Sequence, residues 1–384
     1  MNKKLNTTYP IHHFPGVALL LALTLLLAPA CSEDAPGVGC ETCGNGDLIQ
    51  GDYQPAPYVL DIPDWMPNPI IPADNPLTVE GVELGRRLFY DPILSSDGSM
   101  SCASCHRQDL AFTDGEALST GVVGLEGKRN SMALVNLAFN PNGFFWDGRS
   151  ATLEEQVLIP VEDHVELNES WDNVEEKIRT HEEYPELFRA AFGISRKSEI
   201  DKFLVAKAIA QFERTLISAN SRFDRIIWLN DGWLSDAELR GRQLFFFEEL
   251  QNVNHPGCSH CHFDPLYTDN NYKNNGLDDV ARLEDFEDPG RGAVTNNRYD
   301  LGKFRVPTLR NIALTAPYMH DGRFQTLEEV LDHYTAGGHG VENEDANIHR
   351  FSLSEREKQD LIAFLHTLTD TSFVSNPAFS NPFR

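Results

Sequence analysis

The chain has 384 residues, and its 32 lysines and arginines against 58 aspartates and glutamates give a formal net charge of -26 at pH 7. This length allows two domains with a hydrophobic core each, so the seven cysteines are not the disulfide framework of a mini-protein. Because the acidic charge is spread without a basic patch, nucleic acid and anionic membrane surfaces are excluded as partners, whereas a cationic protein surface is not.

The N-terminus predicts secretion. Two lysines precede an apolar run over 17–28, which ends in small residues before Cys31 and is too short to span a bilayer. We interpret 1–30 as a signal peptide. The ending LAPAC resembles a bacterial lipobox, with Ala28 where leucine is more usual, so Cys31 is expected to carry a lipid anchor. Simple cleavage without a lipid is the alternative.

Residues 31–57 are predicted to form a flexible tether, because they are rich in glycine, proline and acidic residues. Cys40 and Cys43 form a Cys-x-x-Cys pair that is followed by Gly44 and not by histidine. In an oxidising compartment the expected state of this pair is a small disulfide, and a metal or redox role is the alternative.

Two short motifs further along the chain predict a cofactor. Their residues are Cys102, Cys105 and His106 in the first copy, and Cys258, Cys261 and His262 in the second. Cys-x-x-Cys-His spacing indicates c-type haem, since two thioether bonds anchor the porphyrin and the adjacent histidine reaches the iron from one side. A four-cysteine zinc site is the alternative, but it gives no reason for a histidine directly after each pair.

Segments around the two motifs also repeat. LGRRLF at 84–89 and RGRQLF at 240–245 are 156 residues apart, which is also the spacing of the two haem motifs. DGRSATLEE at 147–155 and DGRFQTLEE at 321–329 are 174 residues apart. The chain is therefore expected to contain two copies of one haem-binding unit.

Apolar periodicity predicts a mainly helical chain. Helical spacing occurs at 80–90, 200–216 and 353–369, whereas two-residue alternation is scarce. Pairs with capping-box spacing, which mark helix starts, are Thr152 with Glu155, Thr326 with Glu329, and Ser354 with Glu357. We predict an all-α fold of two tandem cytochrome c-like haem domains with long loops, an N-terminal one over 58–225 and a C-terminal one over 226–384.

Two longer segments give these motifs a family resemblance. FFWDGRSATLEEQVLIPVEDHVEL and VPTLRNIALTAPYMHDGRFQTLEEVLDHY, with the pair of haem motifs, resemble the bacterial di-haem cytochrome c peroxidase and MauG superfamily. The similarity extends from residue 58 to the end of the chain. It implies a periplasmic enzyme with two c-type haems, one where hydrogen peroxide reacts and one that passes electrons. Together with the signal sequence, it predicts a periplasmic lipoprotein anchored through Cys31.

The N-terminal haem is predicted to have an open face. In the family's peroxidases, a second histidine in the loop after the first haem motif binds this iron. Here no histidine occurs between Arg107 and Asp163. We therefore expect His106 to be the one protein ligand of this iron, and Met132 or His164 is the alternative sixth ligand.

The resemblance also assigns residues around the open face. It implies that Glu166 moves a proton between the two oxygens of peroxide, that Gln156 and Pro160 line the same pocket, and that Trp146 lies between the haems and can pass an electron hole. Without the family, Glu166 would be a surface acid and Trp146 a core residue.

The second axial ligand of the C-terminal haem is predicted by counting along the family motif. The candidates are Met319, His320, His333, Tyr334 and His339. The position of the methionine ligand of the family's peroxidases corresponds here to Tyr334, a ligand seen in MauG-type enzymes, and Met319 is the alternative. A methionine ligand raises the haem potential, whereas tyrosinate favours higher iron oxidation states.

The superfamily further places one calcium ion between the haems. The matching positions are Asn130, Thr315 and Pro317, and a carboxamide with backbone carbonyls suits a hard cation. The alternative for Asn130 is an ordinary turn residue.

Three functions remain open at this point. The first is reduction of hydrogen peroxide to water with electrons from a small redox protein, either a cytochrome c or a cupredoxin. The second is MauG-like, peroxide-dependent oxidation of tryptophan or tyrosine on a partner protein. The third, a non-catalytic electron-transfer cytochrome, is disfavoured by the missing histidine. The motifs identify the haem chemistry, but they do not identify the protein that supplies the electrons. They also do not show whether the protein forms a homodimer.

Overall fold

Helices make up most of the regular structure in the computed structural model, which describes residues 46–246 and 256–384. The α-helices of this part are α1 (Val79–Tyr90), α2 (Cys102–Cys105), α3 (Leu153–Glu162), α4 (Trp171–Thr180), α5 (Tyr184–Phe192), α6 (Lys202–Arg214), α7 (Arg222–Leu229), α8 (Asp236–Phe246), α9 (Arg291–Thr295), α10 (Leu327–Ala336), α11 (Glu355–His366) and α12 (Thr371–Val374). Two short strands, β1 (Tyr272–Lys273) and β2 (Phe304–Arg305), form an antiparallel pair. The helical fold predicted from periodicity is confirmed, whereas the two tandem haem domains stay a prediction.

The three helix starts predicted from capping-box spacing are confirmed. Thr152, Thr326 and Ser354 are the N-caps of α3, α10 and α11, and each hydroxyl accepts a hydrogen bond from the backbone N–H three residues on. In α10 and α11 the glutamate at that position accepts the N-cap N–H in return. Each cap satisfies backbone donors that have no partner inside the helix.

Glycine lets two pairs of helices come into backbone contact. A Cβ added to Gly85 of α1 would lie 1.9 Å from the carbonyl oxygen of Ala208 in α6. A Cβ added to Gly241 of α8 would lie 1.9 Å from the carbonyl oxygen of Asp360 in α11. Gly85 and Gly241 are equivalent in the LGRRLF and RGRQLF repeat. The repeat therefore encodes the same close helix crossing twice.

Buried apolar side chains form two clusters. The first takes its members from 49–216 and includes α1, α3 and α6, and the second takes its members from 223–368 and includes α8 and α11. Phe373 and Phe379, near the end of the chain, return to the first cluster. The last segment is thus packed on the first half, and the domain boundary at 225 stays a prediction.

Part of the predicted N-terminal organisation lies outside the described residues, namely the signal peptide 1–30, Cys31, Cys40 and Cys43. The described end of the predicted tether lies against the first half, where the Ile49 N–H donates to the Ser195 carbonyl at 3.0 Å. Within 46–246 and 256–384, every helix falls short of the length and apolar character that a membrane crossing requires.

Candidate active site

The first Cys-x-x-Cys-His motif holds its histidine in one tautomer. Helix α2 carries both cysteines, and the His106 N–H closes the turn on the Cys102 carbonyl at 3.0 Å. His106 Nδ1 lies 2.8 Å from the carbonyl oxygen of Phe112. A carbonyl only accepts, so Nδ1 carries the proton and Nε2 keeps its lone pair. Burial also lowers the pKa of His106, which keeps the ring neutral.

The second motif has the same arrangement. The His262 N–H donates to the Cys258 carbonyl at 3.0 Å, and His262 Nδ1 lies 3.0 Å from the carbonyl oxygen of Tyr267. Burial lowers the pKa of His262 as well. A neutral imidazole whose Nδ1 is held by a carbonyl is the form that binds iron through Nε2.

These donor sets fit covalent haem. None of the four motif cysteines forms a disulfide within the described residues, and in each motif the two sulfurs come from a single turn that ends at a histidine with its Nε2 free for iron. In the part of the chain that the structure describes, no three His, Cys, Asp or Glu side chains come together as a metal cluster. The four motif cysteines therefore do not come together in the described residues, as the zinc alternative would require.

A cleft that is partly open to solvent is lined by residues beside both histidines. Ser131 and Met132 beside His106 line it, and so do Thr268 and Pro307 from the other half. We call it the inter-histidine cleft. Five residues assigned from the sequence also line it: Asn130, Trp146, Thr315, Pro317 and Met319.

Reciprocal backbone bonds cross between the halves beside this cleft. The Asn130 N–H donates to the His320 carbonyl at 2.7 Å, and the Arg305 N–H donates to the Trp146 carbonyl at 2.7 Å. Trp146 and His320 are equivalent positions of the DGR repeat, 174 residues apart. Each half therefore binds the DGR segment of the other half.

Trp146 is held rigidly beside the cleft. Its side chain is buried, and its indole Nε1 donates to the Asn130 carbonyl at 2.9 Å. A tryptophan between the haems and a tryptophan of the hydrophobic core are both expected to be buried, so burial does not distinguish the two interpretations.

The loop after α3 brings Glu166 next to the residues predicted to share its pocket. The Leu167 N–H donates to the Pro160 carbonyl at 3.2 Å, and the Glu166 carbonyl accepts from the Val122 N–H at 2.9 Å. Gln156 and Pro160 are one helical turn apart in α3, so they lie on the same face of that helix.

Glu166 lies close to the first haem motif. Burial raises the pKa values of the Cys102 and Cys105 thiols, and the Glu166 carboxylate adds to the shift at both. Burial and the neighbouring Asp163 raise the pKa of Glu166 itself to about 7, while Arg149 opposes the shift. At neutral pH this carboxyl can therefore both take up and release a proton.

Neither alternative sixth ligand of the first iron is well placed. The side chain of His164 is 74% exposed and lies 3.6 Å from Asp163. Met132 directly follows Ser131, whose Oγ lies 3.4 Å from His106 Nδ1, the ring nitrogen opposite the one left for iron, and the Met132 Sδ lies 3.5 Å from Arg305 Nη2.

Two of the five candidate ligands for the second iron converge on one amide. Asn275 Nδ2 lies 3.5 Å from Tyr334 Oη and 3.4 Å from Met319 Sδ. Burial raises the pKa of Tyr334, and Cys258 and Cys261 add to the shift, so the phenol lies near the second motif.

The remaining three candidates are engaged elsewhere or exposed. His333 Nε2 lies 3.0 Å from the Asn275 carbonyl, and His320 stacks on Phe304 with ring centroids 3.6 Å apart. His339 is exposed. Tyr334 and Met319 are therefore the two candidates that meet at Asn275, and the identity of the axial ligand stays a prediction.

The residues matched to the calcium site offer oxygen donors. Asn130 Nδ2 donates to the Glu116 carbonyl at 2.8 Å, which directs Oδ1 away from that contact. Thr315 and Pro317 line the same cleft as Asn130. A carboxamide oxygen with carbonyls is a donor set suited to calcium.

The polar residues of the site that were not predicted from the sequence include Ser131, Asn275 and Arg305. Ser131 Oγ lies 3.4 Å from His106 Nδ1 and donates to the Cys105 carbonyl at 2.8 Å. In the sequence, these residues are marked only by lying beside a motif or in an asparagine-rich loop. Ordinary turn residues occupy the same kinds of position, so this signal does not identify a site.

Comparison with known proteins agrees with this arrangement. A sequence profile of the family described as di-haem cytochrome c peroxidase matches residues 79–231. The methylamine utilization protein MauG of Methylorubrum extorquens is 38% identical over 91% of this chain and 96% of its own length. Cytochrome-c peroxidase IdrP1 of Pseudomonas sp. is 36% identical over 78% of this chain and 83% of its own. A crystal structure of a MauG-like protein associated with microbial copper homeostasis aligns with a TM-score of 0.79 and 35% identity, over 85% of this chain and 100% of that chain.

Proposed function

The chain belongs to the di-haem cytochrome c peroxidase and MauG family, and we propose that it reduces hydrogen peroxide to water in the periplasm with electrons from a small redox protein. Membership makes it a peroxidase-type oxidoreductase with two c-type haems. The observation that carries the proposal is Glu166, a part-buried carboxyl beside the first haem motif with a pKa of about 7.

The chain's own residues supply the proton chemistry at the first site. Haem, when bound through Cys102, Cys105 and His106, supplies an iron that takes up oxidising equivalents. Glu166 accepts the proton from one oxygen of peroxide and returns it to the other, so that water can leave. Gln156 offers an amide for hydrogen bonding in the same pocket, and Pro160 offers an apolar wall.

The role of Glu166 is tested by Glu166→Gln, which removes the titrating group but keeps its size. We expect the rate of reaction with peroxide to fall by roughly 10² to 10⁴, the range of a lost general acid–base. Stopped-flow absorbance measures the rate, and a pyridine haemochrome assay checks that both haems are retained.

The matched control is Glu162→Gln, an exposed glutamate at the end of α3, four residues before Glu166. It removes the same charge and should react at the wild-type rate. Equal rates for all three proteins would contradict the assignment of Glu166.

The second site is proposed to use Tyr334 as the axial ligand opposite His262. Its support is the proximity of Tyr334 to Cys258 and Cys261. One calcium ion at Asn130, Thr315 and Pro317 is part of the same proposal, supported by the oxygen donors that line the inter-histidine cleft.

The MauG-like reaction is the second candidate function. The same Tyr334 favours it, because tyrosinate stabilises higher iron oxidation states. Steady-state peroxide turnover with a reduced cytochrome c or cupredoxin separates the two candidates. Turnover supports the peroxidase, whereas oxidised tryptophan or tyrosine on a co-purifying protein supports the MauG-like reaction. A non-catalytic cytochrome is set aside, because the family is one of enzymes.

The periplasmic location and the lipid anchor at Cys31 are proposed from the sequence alone. Cys31→Ser should move the mature protein from the membrane fraction to the soluble periplasmic fraction, as followed by haem staining. An unchanged distribution would contradict the anchor.

A further inference from the structure

Arg305 is a buried arginine that has no acidic partner among the residues the structure describes. The residue is 7% exposed, and its Nε has no hydrogen-bond partner within the described residues. Its Nη2 contacts Met132 Sδ at 3.5 Å, a weak acceptor. Desolvating a guanidinium costs free energy that a thioether does not offset.

The other two buried arginines of the described chain have carboxylate partners. Arg310 makes two bonds to Asp224, at 2.7 and 2.9 Å. Arg214 makes two bonds to Glu154, at 2.7 and 2.9 Å. Since buried charges in proteins are normally paired, the lone guanidinium of Arg305 indicates an anion that the described side chains do not provide.

The backbone directs Arg305 into the inter-histidine cleft. Strand β2 holds it, opposite Tyr272 of β1, and its N–H bonds the Trp146 carbonyl. Its side chain lines the cleft. The same cleft is lined by Ser131, whose Oγ lies 3.4 Å from His106 Nδ1, and by Leu266 and Thr268, the neighbours of Tyr267, whose carbonyl lies 3.0 Å from His262 Nδ1. The guanidinium therefore lies in a cleft whose walls include close neighbours of both haem-binding histidines.

We propose that the Arg305 guanidinium binds a carboxylate of a haem propionate in this cleft. Haem brings two carboxylates to each motif, and a planar guanidinium can bind a carboxylate through two parallel hydrogen bonds. In the reciprocal pair of backbone bonds, the Asn130 N–H donates to His320 as the Arg305 N–H donates to Trp146. Asn130 is also the proposed calcium ligand. Each half thus presents one cationic centre to the cleft, a guanidinium on one side and a metal ion on the other.

The test measures the midpoint potentials of both haems by spectroelectrochemical titration. A cation beside a propionate favours reduced iron, so Arg305→Gln should lower one potential, and Arg305→Lys should keep most of the wild-type value. Both haems should be retained, because thioether bonds hold them. Arg298→Gln is the control, since Arg298 is exposed and pairs with Glu342 at 3.0 Å. It removes the same charge and should leave both potentials unchanged.

Two results would overturn the proposal. One is wild-type potentials in Arg305→Gln with both haems present. The other is a potential shift that depends on added chloride or phosphate, which would mean that Arg305 binds a free anion. If the glutamine variant does not fold, a crystal structure of the haem-loaded wild type decides by the guanidinium–propionate distance. The proposal rests on the two haems and not on peroxide turnover, so these measurements hold even if the proposed function fails.

Discussion

At the scale of single residues, one backbone carbonyl at each haem motif sets the state of a histidine. Phe112 and Tyr267 supply these carbonyls from loops just after the motifs, so both imidazoles present Nε2 for iron. Differences between the two sites arise from the residues opposite. Glu166 lies near the first motif, whereas Tyr334 lies near the second. The same attachment chemistry is therefore proposed to serve two separate tasks.

The identity of the second axial ligand is a residue-scale prediction. Tyr334→Phe should change the absorption and electron paramagnetic resonance spectra of one oxidised haem, because phenylalanine cannot bind iron. Met319→Leu, a volume-matched change at the competing ligand, should leave both spectra as in the wild type. The reverse pattern, with a near-infrared methionine–iron band in the wild type, would identify Met319 as the ligand.

At the scale of elements, the two halves depend on the same helix crossing. Helix α1 meets α6 at Gly85, and α8 meets α11 at Gly241, with room for a hydrogen atom and for no side chain. Helices α1 and α8 each lead into the chain segment that carries a haem motif. Close crossing therefore fixes how α1 and α8 pack on their core clusters.

Alanine at either crossing glycine should destabilise the protein. Gly85→Ala and Gly241→Ala each force two backbones apart, and overpacking of this kind costs about 1–3 kcal/mol of unfolding free energy. Thermal unfolding of the haem-loaded protein measures the loss. Gly127→Ala is the control, since an added Cβ there would come no closer than 3.7 Å to any neighbour. Equal stability of the three variants would show that the helices adjust without cost.

At the scale of the whole molecule, the two halves meet at the inter-histidine cleft, which residues of both halves line. Paired backbone bonds join Asn130 to His320 and Arg305 to Trp146 across it. The chain end reinforces this connection, because Phe373 returns to the first core cluster after the second is complete. Haem chemistry in one half is thus held at a fixed position relative to the other half.

Removal of calcium is a prediction at this scale. A chelator should lower the melting temperature, because Asn130 Oδ1 and nearby carbonyls lose their cation in the cleft. A ligand held at a hundred times its Kd stabilises by about 2.7 kcal/mol. Calcium should restore the melting temperature and magnesium should not, and Asn130→Ala should abolish the response. A protein that contains no calcium by elemental analysis, and whose melting temperature ignores the chelator, would contradict the site.

The sequence by itself determined the features whose residues are close neighbours in the chain. Cys-x-x-Cys-His spacing gave the haem attachment, and the hydroxyl–glutamate spacing gave the starts of α3, α10 and α11. These features depend on a few consecutive residues, so local geometry is sufficient to predict them.

Only the tertiary structure decided which distant residues share the site. Asn275 Nδ2 contacts Tyr334 Oη, although the two residues are 59 positions apart in the sequence. The guanidinium of Arg305 contacts Met132, which is 173 positions away. The tertiary structure also brings Tyr334 and Met319, two of the five candidate ligands, to the same asparagine. Such contacts are set by the packing of whole helices and loops, and neither spacing nor periodicity encodes how two distant segments meet.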